Sequence, residues 1–557
     1  MRDSATIRSR NLNQGDNVAS QLFKTKSPEL LLRESEHPDR LMKRSLSALD
    51  LTALGIGAII GTGIFALTGT AAAGEQMTAA TSRLTTPVLN FIQSWITNAD
   101  LVLGRPGAGP AVVFSFIVAA IACLFAALCY AELASMIPVS GSAYTYSYAT
   151  LGEMVAWIIG WDLILEYAVG NMAVAVGWSD YFVKFLYSVS QGSIKFPLWL
   201  VLDSTTAATK LSQGSEAVKY YSDLALPQVF GHPFAVNVPA FLIVAAVTIL
   251  LIYGIRESAR ANTMIVIVKV AVVVFFISFG AFMVHPTNWT PFVPNGFGGI
   301  MSGAAIVFFA FIGFDAVSTT AEETRNPQRD IPIGMIASLA ICTLLYVLMS
   351  GVLTGILKYT TYLGDSAAVA TAFASKPWAQ ALVSAGALAG MTSVLLVFQL
   401  GQPRIFMAMA RDGLLPRYFS RLHTRYRTPY ITTIWTGVVV GGVAAFSDIG
   451  SLADLTNIGT LFAFTLVCIG VIILRRTDPN RRRPFRVPMV PLVPLLGVFM
   501  CVALMLSLPI LTWLRFFGWL AIGIVIYFVY SIRHSRLQHG VDVGATEADL
   551  PPPGGPN

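Results

Sequence analysis

The chain has 557 residues, 55% of them hydrophobic and only 12% charged, and its mean hydropathy is +0.66. That balance excludes a soluble domain and predicts an all-α polytopic membrane protein, because a span that shows backbone to lipid must bond to itself. The net charge of +7 does not mark a nucleic-acid surface, since the basic residues gather in every second loop.

The pattern begins with nine Lys/Arg in residues 1–45 and returns at Arg256 and Arg260, at Arg325 and Arg329, and at Arg411, Arg417, Arg421, Arg425 and Arg427. It continues at Arg475, Arg476, Arg481, Arg482, Arg483 and Arg486, and at Arg533 and Arg536. The alternate loops carry sparse charges such as Arg83, Lys184, Lys358 and Arg515. This positive-inside bias puts both termini in the cytoplasm, predicts an inner (plasma) membrane protein, and requires an even number of spans. Residues 1–45 lack the short apolar core of a cleavable signal. Residues 1–26 are expected to be unstructured, and 27–50 to form an interfacial amphipathic helix.

Span 1 is expected at about 49–72, followed by an outer insertion, 75–109. Spans 2 and 3 are expected at about 110–133 and 152–177, joined by a loop (138–146) that suits an inner gate. A long outer segment, 185–236, precedes spans 4 and 5 at about 237–255 and 262–284. The second half places spans 6 to 10 at about 298–321, 331–357, 378–407, 430–446 and 453–474. Spans 11 and 12, at about 489–508 and 511–532, complete twelve. The expected divisions are a tail (1–45), a first half (46–285), a second half (286–476), two added helices (477–535) and an unstructured tail (536–557).

Two spans are interrupted. Span 1 carries Gly55, Gly57, Gly61 and Gly63, four glycines in nine residues, each costing roughly 0.5–1 kcal/mol against alanine inside a helix. Span 6 carries Gly313 and the carboxylate of Asp315 after an aromatic run, Phe308 to Phe311. Small residues also serve close helix packing, which is the alternative use of one such stretch. Two interrupted spans at matching places in two halves point instead to an inverted-repeat secondary transporter, five helices plus five, with helices 1 and 6 discontinuous. Unwound amides then suit a carboxylate and unwound carbonyls suit a cation.

Charges at bilayer depth need a protein partner. Lys269 in span 5 either snorkels to the cytoplasmic edge or sets its ammonium against the unwound carbonyls of span 1. In the second case it stands in for a metal cation and carries the coupling proton. Asp162 and Glu166 lie four apart on one face of span 3; Glu166 suits another charge or a cationic substrate, and Asp162 a structural role. Asp315 suits a gate anchor or a cap on the second half of span 6. Thr392 and Ser393 would be hydroxyl ligands of a sodium site, or ordinary packing residues. The five cysteines fall in apolar spans without metal or disulfide spacing, and all six histidines fall in loops or tails. No metal or organic cofactor is expected; the coupling ion is H+ rather than Na+.

Residues 55–65, 130–134, 141–144, 308–318 and 322–329 resemble the cationic amino acid transporters of the amino acid–polyamine–organocation superfamily, bacterial type. The resemblance covers about 45–535, apart from the insertion and part of the outer segment. It implies alternating access in a bundle of two inverted five-helix repeats plus two helices. The substrate carboxylate is then expected at the amides of Gly61, Thr62 and Gly63. Its amine is expected at carbonyls near Ile59 and Ile60, and at Phe309, Ala310 and Ile312. Lys269 matches the lysine that replaces a sodium site in proton-coupled members, and Glu166 the span 3 glutamate of cationic members.

The expected function is proton-coupled import of L-amino acids, with arginine, lysine and ornithine as substrates. The alternatives on the same fold are a neutral amino acid symporter, an amino acid or polyamine exchanger, and a uniporter driven by the membrane potential, worth about 2.3 kcal/mol per charge per 100 mV. A membrane enzyme would need a catalytic constellation at membrane depth, and a channel would not need two broken helices closing on a backbone pocket. The expected partners are the amino acid and membrane lipid, with no nucleic acid, and a monomer is the expected unit.

Overall fold

The computed structural model describes residues 22–26, 45–75, 83–98, 100–139, 142–253, 259–423, 426 and 428–538. Among them nine helices are long and apolar enough to cross a membrane, and three shorter apolar helices, Val238–Tyr253, Tyr430–Ala444 and Leu492–Leu506, bring the total to twelve. The only strands among the described residues form a two-residue hairpin, Gln228–Val229 against His232–Pro233. Span 6 lies at the centre, with 89% of its apolar window buried; span 12 lies at the rim with 22%.

Span 1 opens with a capping box in which Ser47 and Asp50 bond reciprocally. Its inner half, Ala48–Ile59, stops at Ile60, whose extended backbone ends the ladder. A π turn, Gly63–Leu67, and a short helix, Thr68–Ala73, carry it outward. Span 6 runs as an α-helix through Gly296–Val307 and tightens to a 3-10 turn over Phe308–Phe311. It resumes as 3-10 turns through Phe314–Glu323. Gly313 between them has φ +114°, and a Cβ there would sit 2.9 Å from the Ala58 carbonyl oxygen, so only glycine lets the two breaks meet.

Several boundaries differ from those expected. Span 3 runs Glu153–Val189, twelve residues beyond 177, because Ser179, Asp180 and Lys184 on its outer turns are buried and bonded to Asn237, Ser366 and Thr371 rather than wetted. The outer segment has its own small core of Leu198, Val201, Leu202, Ala207, Tyr220 and Tyr221. Asp365, after span 7, takes an ion pair from Lys184, while Lys210 lies 3.6 Å from Asp180. The loop after span 2 contains a helix, Ser142–Thr150, and its Tyr144 hydroxyl donates to Asp412 at 2.7 Å.

Residues 22–26, expected to be unstructured, pack on this helix. Lys26 N–H donates to Tyr148 O at 3.0 Å, and its ammonium lies 3.3 Å from Asp412. A strap so short is ordered by backbone bonds that its polar composition does not announce. Residues 1–21 and 539–557 lie outside the described residues, as does the expected interfacial helix over 27–50 as far as residue 44; from Ala48 the chain is already span 1.

The insertion is ordered where described. It forms a helix, Val88–Thr97, and returns to bury Arg105, whose Nη1 donates to both carboxylate oxygens of Asp454 at 2.8 and 2.7 Å and reaches Glu75 at 3.3 Å. The insertion thereby ties the outer end of span 1 to span 10. Arg105→Ala leaves Asp454 buried without its cation, a loss of roughly 3 kcal/mol. The expected outcome is a lower unfolding temperature of the detergent-solubilised protein, read by intrinsic fluorescence.

Candidate functional site

The break in span 1 frees the last carbonyls of its inner half, and those of Ile56, Gly57 and Ile59 find donors. Ile60 N–H closes on Ile56 O at 2.9 Å, the last helical bond. Lys269 Nζ, on a fully buried side chain, donates to Gly57 O at 2.7 Å. The Tyr346 hydroxyl, from span 7, lies 2.9 Å from Ile59 O and 3.1 Å from Ala310 O in span 6. A phenol has one proton, so at any moment one of these two carbonyls retains acceptor capacity for another donor. From span 10, Asn457 Nδ2 donates to Ala305 O at 2.7 Å.

On the amide side, the first N–H groups of the outer half have no intrahelical acceptors. Thr62 beside them is 1% exposed, and its hydroxyl has no hydrogen-bond partner among the described residues. A Cβ built on Gly63 would fall 2.2 Å from the Ala310 backbone, so the breaks touch at these two residues. The structure therefore brings Gly63 to Ala310, and Ile59 to Ala310 through Tyr346. Ile60 and Phe309 are buried in the surrounding core, as is Gly61 against Val394.

Below this contact lies a cavity of about 20 Å³. Ala58, Ile312 and Gly313 line it from the breaks, Glu166 and Tyr167 from span 3, Val394, Val397 and Phe398 from span 8, and Asp315 and Ala316 from span 6. It has two carboxylates and no basic side chain. Its volume holds about one water molecule and not an amino acid, and enlarging it would require spans 1 and 6 to part from spans 3 and 8.

Asp162, one turn from Glu166, is fully buried against Gly459, and neither of its oxygens has a hydrogen-bond partner among the described residues. Lys269 does not line the cavity; it sits behind span 1, against Gly390 of span 8. Thr392 and Ser393 donate within their own helix, to Leu388 O and Gly390 O. Tyr346 escaped sequence reasoning. Its one signal is a phenol in an apolar span, which needs a buried acceptor.

The profile of a family described as amino acid permease matches residues 46–529. The chain belongs to that family. The permease is 45% identical over 523 residues to the branched-chain amino acid permease BcaP of Bacillus subtilis, a match covering 94% of this chain and 100% of the relative. It is 42% identical to the methylthioribose transporter of the same organism, over 93% and 100% of the two chains. It is 36% identical to the vacuolar cationic amino acid transporter 4 of Arabidopsis thaliana, over 81% of this chain and 66% of the relative. The permease is thus an integral membrane transporter of amino acids and not an enzyme.

Gly63→Ala forces the two breaks apart at a backbone contact. It is expected to abolish uptake in proteoliposomes while the protein still elutes as a single folded species. Tyr346→Phe strips a donor from two buried carbonyls, a loss of about 1–3 kcal/mol. The unfolding temperature of the substrate-free permease should fall, with saturating substrate restoring part of it.

Proposed function

We propose that the permease imports L-amino acids with cationic side chains, arginine, lysine and ornithine among them, by proton-coupled alternating access. The observation that carries this reading is the acidic lining of the cavity: the carboxyl groups of Glu166 and Asp315 line it and no basic side chain does. A cationic side chain entering there would meet two desolvated carboxyl groups, and with one of them ionised against it the charge-assisted bond is strong. The α-carboxylate would take the amides at 61–63 beside the unpartnered Thr62 hydroxyl. The α-amine would take the acceptor capacity that the single Tyr346 proton leaves at Ile59 and Ala310.

Lys269 is the coupling residue in this proposal. Its ammonium is held by a neutral carbonyl, and among the described residues no carboxylate lies within ion-pair distance. It can therefore release a proton without leaving a carboxylate unpaired, and the Gly57 carbonyl loses its donor when it does. Protonation thus acts on the inner half of span 1. Both termini are proposed to face the cytoplasm, a reading supported by the loop charges and by the bond from Lys24 Nζ to Leu537 O at 2.7 Å, which joins the two terminal segments at one face.

A second reading keeps the site and makes the substrate a neutral branched-chain amino acid. It is favoured by the apolar part of the lining, Ile312, Val394, Val397 and Phe398, and by the name of the Bacillus permease.

Uptake of labelled arginine and leucine into proteoliposomes, with the pH gradient and the membrane potential imposed separately, decides between them. An inward proton gradient should drive arginine uptake in the wild type and fail to do so in Lys269→Ala. Glu166→Gln should raise the arginine KM about 10-fold or more, as loss of a bond to a charged group does, and leave leucine unaffected. Leucine uptake that arginine does not compete establishes the neutral carrier instead.

A further inference from the structure

The insertion after span 1 contains an element that the transport site does not use. Its helix, Val88–Thr97, buries none of its residues, and Trp95 and Ile96 are 84% and 70% exposed. At 3.6 residues per turn, Val88, Leu89, Phe91, Ile92, Trp95 and Ile96 fall within a stripe about 160° wide. Asn90, Gln93, Ser94 and Thr97 fill the opposite face, and the helix carries no charge. Val88, Leu89, Phe91 and Ile92 are half-buried and Leu89 packs on the bundle, so the outward end of the stripe is Trp95 and Ile96. A large apolar pair left outside calls for a partner, and the separation from a polar face is that of a helix lying along a water–lipid boundary.

The backbone determines where the helix lies. Val88 N–H donates to Leu508 O at 3.2 Å, Ile510 N–H to Thr86 O at 3.3 Å, and Leu511 N–H to Leu84 O at 3.0 Å. These bonds attach the start of the helix to the turn joining spans 11 and 12, which is the edge of the hydrocarbon. Immediately beyond that turn, span 12 exposes Leu514 and Phe517, as a rim helix does toward lipid. Leu84, just before the helix, is exposed as well, while Asn90 Nδ2 donates to Val102 O at 3.0 Å and so holds the returning chain against the polar face. Tryptophan is the side chain favoured at this level, with an apolar body and a polar N–H.

We propose that Val88–Thr97 is a membrane-surface helix, its Trp95 and Ile96 face entering the boundary between headgroups and acyl chains at the outer ends of spans 11 and 12. The occupant of this face is the bilayer in which the permease sits. With no cation on the helix, the attachment is apolar and does not depend on anionic lipid. The same insertion ends in Arg105, so the lipid surface steadies the segment that ties span 1 to span 10.

Nitroxide labels placed singly through Trp95→Cys and Gln93→Cys, in the permease reconstituted into nanodiscs, test this. The five native cysteines are all buried, and both labelled positions are exposed, so neither substitution touches the core. The label at 95 should be relaxed more by oxygen than by a water-soluble nickel chelate, and the label at 93 the reverse. Equal nickel access at both positions overturns the proposal, because the helix then stands in water. Dipolar broadening at 95 that disappears on dilution with unlabelled permease also overturns it, because the face then rests on a second copy.

Discussion

A carbonyl that leaves its helix inside a membrane has no water to turn to, and an unmet backbone group there costs several kcal/mol. Two broken spans at the centre of this protein free such carbonyls, and their donors come from elsewhere in the bundle. Span 5 supplies Lys269 to Gly57, and span 7 supplies Tyr346 to Ile59 and Ala310. Span 10 supplies Asn457 to Ala305. Each donor is itself a polar group that hydrocarbon would exclude without an acceptor. Donors and breaks sustain one another, and neither is stable as a local feature.

The same arrangement ties the two broken spans to each other. Tyr346 reaches both the inner half of span 1 and span 6, so moving one span away from the other takes the shared hydroxyl from one of the two carbonyls. With the site closed to about one water, the layers on either side are held as well. At one face, Lys184, Lys210, Asp180 and Asp365 join span 3 to the segment before span 4 and to the chain after span 7, while Arg105 joins the insertion to span 10. At the other, Asp412 gathers Tyr144 and Lys26. Opening on either side requires one of these layers to part, and the charged groups in it then gain water in exchange.

Much of this was legible beforehand for particular reasons. The spans announce themselves because length and hydropathy are local properties, and the breaks because four glycines in span 1 and Gly313 in span 6 oppose the helix from within. Glu166 and Lys269 stood out because charge is rare at that depth. Tyr346 did not, since a tyrosine in an apolar span is unremarkable until its acceptors are known. Arg105 did not either, because the partner that explains its burial, Asp454, is 349 residues away. The outer turns of span 3 read as a polar loop for the same reason: Asp180 and Lys184 are buried by chain that lies more than twenty residues further on.

The sequence by itself determined that this is an all-α membrane transporter with two interrupted spans, because hydrophobicity, glycine placement and loop charge act over one span at a time. Only the tertiary structure decided which freed carbonyl meets which donor, how small the closed cavity is, and that Lys269 stands behind span 1 instead of facing the cavity. Those facts depend on distances between residues remote along the chain, which are set by helix packing and carry no mark in local composition.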